Sequence, residues 1–351
     1  MENPSIGCDK NLSSLLGMAI GENVAINRET KIKNESEGFV FGVHSQLSIF
    51  TAEGLLRATH RAKMHGTNGT FAEIVYESYK RWLNVALYSE NQSVPLNDGW
   101  LIKEKVFYNK TILLKHVAEV LKQDKSGDLD SPINNYSDAE VLPSMVSVGL
   151  FFKEDYKLAF KVAQEICALT HGDLITCYCC SVYASLISSL LNGFTLKSSI
   201  LRSLNLLNDN IYSELVRKDL LQVLKYYETN KSSLPSGEYL VQSFASVLPS
   251  PNSSLYVFSI SLLISLFYKN NFEEGIIVCS GILLNDDFAC SAIVGSILGM
   301  INGSLSVPQK WNLAKNAYSV LEEISRDIDT GIFGIEVYAT NKDWACKYPG
   351  Y

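Results

Sequence analysis

Apolar residues in this chain recur three, four or five positions apart almost wherever they occur, and clean alternation over four or more residues is scarce. That spacing lines one face of a helix and leaves little material for a sheet. The predicted fold class is therefore all-α. From Ser45 to Lys63, Leu47, Phe50, Leu55, Leu56 and Ala58 mark one buried face, with Ser45 as the expected N-cap. Glu73 to Leu87, Thr111 to Leu121, Tyr156 to Leu169 and Cys177 to Leu191 repeat the pattern between Gly, Asn and Pro punctuation. Gln309 to Ile328 places Trp311, Ala314, Tyr318, Leu321, Ile324 and Ile328 on one side of an amphipathic helix. The apolar run Leu255 to Tyr268 contains three serines and is too short for the ~20 residues of a membrane span. It reads as a buried helix.

Two stripes of small residues carry a packing consequence. Ser13, Gly17 and Gly21, and Ser291, Gly295, Gly299 and Gly303, are spaced by four, so each set falls on one helix face and allows close backbone approach. In a chain of this kind they predict two helices packed tightly in the core. A length of 351 residues suggests about two domains at ~150 residues each. The polar intervals 124–143 and Thr229 to Gly237 lack the length and bias of linkers, however, so one domain over 1–351 is expected. Interval 124–143 is either a site loop or an edge of the fold. The tail 338–351 contains Trp344, Tyr348 and Tyr351, which either anchor a partner or fold back on the core.

Composition narrows the function classes. With 47% apolar and 19% charged residues the chain is neither disordered nor a coiled coil. Thirty basic against thirty-seven acidic residues give a net charge of −7, and no stretch concentrates Lys and Arg, so nucleic acid is not an expected partner. The eight cysteines sit in apolar helical text, where Cys acts as a small hydrophobe. They suggest a reducing, cytoplasmic setting. The N-terminus lacks a basic region and a clear cleavage signature, and no membrane association is expected.

Several segments together resemble the ADP-ribosylglycohydrolase family, which includes the dinitrogenase-reductase-activating glycohydrolases. SLLGMAIGENVA near the N-terminus is similar to that family's opening LLGLAxGDALG, and Gln46 to Ala58, QLSIFTAEGLLRA, to the helix after its first acidic motif. VGLFF (Val148 to Phe152) and ALTHGD (Ala168 to Asp173) resemble the middle of the family. Phe272-Glu273-Glu274 and the stretch Ser291 to Trp311 resemble the region of the second acidic motif. The resemblance implies an all-α, orthogonal multi-helix bundle that, in active members, holds two magnesium ions and cleaves an ADP-ribose glycosidic bond.

Magnesium demands hard oxygen ligands, which active members supply as S/T-D-D-T-Q and G-D-x-D-S/T-x-G. The first motif falls on Gly42-Val43-His44-Ser45-Gln46: Val43 has no ligand atom and His44 offers one nitrogen. The second falls on residues 285–291, where Asp286 keeps one carboxylate while Phe288 and Ala289 replace a carboxylate and a hydroxyl. The glycines that cradle the ribose and phosphates are missing from Tyr136 to Ser147.

The resemblance therefore implies a catalytically degenerate member without a cofactor. Such a chain would act by binding a protein, as an antidote (immunity protein) or regulator against an ADP-ribosyltransferase or its target. The alternative is an active hydrolase with a remodelled magnesium site formed by His44, Asp286 and Asp287. A structural or storage use of the fold is a third reading. His171, Cys177, Cys179 and Cys180 form the other metal-like group, but no second cysteine pair accompanies them, and they read as core residues.

Overall fold

The computed structural model describes residues 6–30, 38–65, 71–87, 98–108, 113–232, 240, 242–244, 254–281, 287–333 and 342–349. Among them the chain is helical, and the extended pairing is a single parallel bridge between Phe39 and Leu313. In order, the helices are α1 (Ile6–Thr30), α2 (Val43–His65), α3 (Phe71–Ala86), α4 (Lys115–Lys122), α5 (Met145–Phe151), α6 (Tyr156–Ala168), α7 (Leu174–Leu191) and α8 (Leu196–Leu204). They continue with α9 (Ile211–Asn230), α10 (Ser254–Phe267), α11 (Phe272–Ser280), α12 (Asp287–Asn302), α13 (Lys315–Phe333) and the short α14 (Lys342–Lys347).

The two small-residue stripes meet. α1 and α12 run antiparallel with their backbones touching: a Cβ on Gly17 would lie 2.2 Å from the Gly295 carbonyl oxygen. One on Gly21 would lie 2.2 Å from that of Ser291, and one on Gly299 would lie 2.2 Å from that of Ser13. Any larger side chain there would push the helices apart. Gly303 does not join the stripe; it lies past the helix end with φ +81°. Around this pair, α13 packs on α1, and α10 and α11 pack on α12. α2 packs on α3 and α5, and α7 lies against α5, α6, α8 and α9.

α7 is 18 residues long and apolar enough to cross a membrane by length and composition, and 83% of it is buried within the protein. It sits where a core helix sits. Asp173 starts it by accepting the Thr176 N–H at 2.8 Å. Cys167, Cys177, Cys179, Cys180, Cys279 and Cys290 are buried as expected of small hydrophobes, whereas Cys346 is exposed.

Two expectations need correction, and one open reading is decided. α13 begins at Lys315, not Gln309, because Phe39 donates to the Asn312 carbonyl and accepts from the Ala314 N–H, which commits that backbone to the bridge. α2 begins at Val43, so Ser45 lies inside the first turn and does not cap it. In the tail, Trp344 and Tyr348 are buried, 6% and 0% exposed, and so are not offered to a partner. Their rings lie 4.9 Å apart, and the Tyr348 hydroxyl donates to Asp327 at 2.5 Å. Tyr351 lies outside the described residues.

Candidate functional site

The first turn of α2 has N–H groups without a partner in their own helix. Glu22, fully buried on α1, reaches across and satisfies them: its Oε1 accepts the His44 N–H at 2.8 Å, and its Oε2 accepts the Ser45 N–H at 3.0 Å and the Ser45 hydroxyl at 2.5 Å. Gly42 permits this approach, since a Cβ there would lie 2.3 Å from the Glu22 carboxyl carbon. Sequence reasoning did not single out Glu22. Its signal is that it is the lone charge in SLLGMAIGENVA.

His44 is buried, and its Nδ1–H donates to the backbone carbonyl of Glu140 at 3.1 Å. That contact joins α2 to interval 124–143, which is held on the turn between α6 and α7. Gly127 N–H donates to the Leu169 carbonyl at 3.1 Å, and the Asn134 side chain donates to the Thr170 carbonyl at 2.8 Å and accepts the Gly172 N–H at 2.9 Å.

On this segment sits a group of acids and imidazoles. His116, in the first turn of α4, places Nδ1 2.5 Å from Asp138 Oδ2 and 3.8 Å from Glu140 Oε1. The ligand atoms of the three side chains lie within 4.8 Å of one another. Each is oriented by something else. Glu140 Oε2 accepts the backbone N–H groups of His116 at 2.9 Å and Val117 at 3.1 Å, capping α4 from a distance. Asp138 Oδ1 accepts from His171 Nε2 at 3.0 Å and from the Glu140 N–H at 3.0 Å, and His171 Nδ1 meets the Thr170 hydroxyl at 2.9 Å. The Tyr136 ring stacks on His116 at 4.0 Å and 22°.

The electrostatics separate the two acids. Burial alone would raise the Asp138 carboxyl, but the His171 hydrogen bond, the nearby imidazoles and the Glu140 N–H hold it well below the usual carboxylate range. Glu140 is pushed up by burial and by the Asp138 charge. A charged Asp138 can only accept, so the protons it meets stand on His171 Nε2 and His116 Nδ1.

With this geometry in view, the comparison with known proteins is decisive at the level of family. The sequence profile of the ADP-ribosylglycohydrolase family matches residues 5–335. This chain belongs to the ADP-ribosylglycohydrolase family. Its fold is similar to a solved chain of an ADP-ribosylglycohydrolase-related protein complex, with a TM-score of 0.56 at 15% identity, over 93% of this chain and 99% of that one. No curated protein sequence matches this chain at a significant level.

As an ADP-ribosylglycohydrolase-family protein, the chain can be tested for the two-magnesium site of active members. Val43 is buried at the start of α2, Phe288 is half-buried and Ala289 is buried on the first turn of α12. None of these side chains has a donor atom. His44 spends one nitrogen on a carbonyl, and the N–H groups of that turn are taken by Glu22. At the described positions Val43, His44, Phe288 and Ala289, no side chain offers a hard oxygen ligand. Asp286 and the Asp287 side chain lie outside the described residues. In the other metal-like group, His171 turns to Asp138, and the Cys177 thiol points at the His171 carbonyl at 3.6 Å.

Proposed function

We propose that this family member uses the ADP-ribosylglycohydrolase fold to bind a protein rather than to hydrolyse ADP-ribose. The observation that supports this reading best is the start of α2, where a buried carboxylate from α1 satisfies the turn and Val43 and His44 stand in place of the expected aspartates. A cofactor has no role in it. The partner class it favours is an ADP-ribosyltransferase or its target in a cytoplasmic setting, with the chain acting as antidote or regulator. The similar solved chain is described as part of a protein complex, which is in keeping with a binding use of the fold.

The alternative, a hydrolase with magnesium on His44, Asp286 and Asp287, has less support because His44 offers an imidazole nitrogen where magnesium takes a hard oxygen. Incubation with an ADP-ribosylated protein and Mg²⁺ separates the two. Binding without release of ADP-ribose, together with a stoichiometric complex in a pulldown, is expected. Release that Asp286→Ala abolishes would overturn the proposal.

A further inference from the structure

We infer that His116 Nδ1, Asp138 Oδ2 and Glu140 Oε1 form a binding site for one divalent transition ion of the zinc class, apart from the positions where the family holds magnesium. The donor set is mixed, one imidazole nitrogen with two carboxylate oxygens. Imidazole suits zinc and its neighbours, while a purely hard-oxygen cage would suit magnesium or calcium. Three protein ligands with a fourth position left for water is the pattern of an open zinc site.

The surroundings support a site prepared for an ion. Metal-binding side chains need partners that fix their orientation, and here every one has such a partner. Asp138 presents Oδ2 because Oδ1 is held by His171 and a backbone N–H; Glu140 presents Oε1 because Oε2 is held by the first turn of α4. The His116 ring is fixed by Tyr136. Access is also provided, since the side chains of His116, Asp138 and Glu140 are 27%, 18% and 13% exposed.

The three ligand atoms already lie within 4.8 Å. Ligand distances of about 2.0–2.2 Å need the close His116–Asp138 pair to part and Glu140 to draw in by several tenths of an ångström. Without an ion, His116 Nδ1 and Asp138 Oδ2 share a hydrogen bond. Coordination replaces the proton on His116 Nδ1, which passes to solvent or, through solvent, to Nε2, leaving a nitrogen lone pair for the metal.

The test is isothermal titration of the chelator-stripped full chain with zinc chloride, with magnesium chloride as the comparison. Zinc is expected to bind once per chain, and Glu140→Gln and His116→Gln are each expected to weaken it at least tenfold. Asp286→Asn is expected to leave it unchanged. No zinc binding, binding indifferent to both substitutions, or loss on Asp286→Asn alone would overturn the inference. Should the His116 and Glu140 variants fail to fold, zinc X-ray absorption on the wild-type and Asp286→Asn chains decides: a nitrogen and oxygen shell with one imidazole, the same in both, supports the site, and sulfur in the shell or a shell altered by Asp286→Asn refutes it. Neither readout involves hydrolysis or a protein partner, so this inference and the proposed function can fail separately.

Discussion

Glu22 holds Ser45 twice, accepting its backbone N–H at 3.0 Å and its hydroxyl at 2.5 Å, and so fastens the start of α2 to α1. With the His44 N–H included, three buried donors depend on one carboxylate. Leaving buried donors unsatisfied costs about 1–3 kcal/mol each, so Glu22→Ala is expected to destabilise by at least about 3 kcal/mol. At about 2.1 cal/mol/K of unfolding entropy per residue, a 351-residue chain shifts by about 1.4 °C per kcal/mol, so a thermal melt should fall by about 4 °C or more. Glu22→Gln keeps one accepting oxygen and should lose less. A melt unchanged by the alanine variant would refute the cap.

Close contact of α1 and α12 makes a second expectation. Gly17→Ala puts a methyl group 2.2 Å from a backbone oxygen that cannot turn aside, whereas Gly193→Ala meets nothing within 4 Å and strains only a backbone at φ +84°. Urea denaturation should show a loss of about 3 kcal/mol or more for the first and about 1 kcal/mol for the second. Equal losses would mean that helix contact does not govern position 17.

A buried ion network ties α2 to α3. Glu53, fully buried, accepts from Arg57 Nε at 2.9 Å and from Arg81 at 3.1 Å, and Arg57 also pairs with Asp98 at 3.0 Å. Removing the central carboxylate takes the buried partner from both guanidinium groups and leaves them to share Asp98, at 3.0 and 3.9 Å, so Glu53→Ala should cost about 3–5 kcal/mol. Asp98 is 34% exposed, and Asp98→Ala should cost about 1 kcal/mol or less in the same denaturation series.

Between α8 and α9, Glu228 bonds Lys197 at 2.6 Å and Lys231 at 2.5 Å, and these hydrogen bonds draw its carboxyl down to about 2. A carboxyl lowered by folding adds stability that is complete above its unfolded value, about 4.3, and is lost as pH falls toward 2. The small difference between wild type and Glu228→Gln should therefore shrink over that window, and shrink in high salt at neutral pH. Carboxyl NMR reads the titration directly. A Glu228 midpoint above 4 at low salt would contradict the geometry.

ADP-ribose with Mg²⁺ is expected to leave the melting temperature of the chain unchanged. A ligand present at 100 times its Kd adds about 2.7 kcal/mol to the folded state, so even a weak family-mode site would be visible in a thermal-shift titration. A dose-dependent rise would argue for a retained nucleotide site.

Much of the fold could be read from the sequence because its signals are local and periodic. The small-residue stripes through Gly17 and Gly295 predicted the central helix pair, and apolar spacing located most helices to within a few residues. What escaped notice depends on polar groups far apart in sequence. Glu22 meets the backbone of α2, and Asn134 bonds Thr170 and Gly172 across a turn. No spacing rule links such pairs. Asp138 and Glu140 lay in an interval whose composition suited a site loop and an edge equally, and only the fold brings His116 and His171 to them. Trp344 and Tyr348 turned inward because α14 packs their rings together above Asp327 and His60, a choice that composition leaves open.

The α1–α12 contact works as a fixed ruler. Gly17 meets Gly295 and Gly21 meets Ser291 backbone to backbone, so neither helix can slide along the other by even a fraction of a turn. α1 carries the Glu22 that sets the start of α2, and α12 opens on the second motif position, so the spacing of both motif positions is referenced to this one seam. The seam is made backbone to backbone and draws on none of the motif side chains. Residues substituted at the motif positions would therefore inherit the same coordinates.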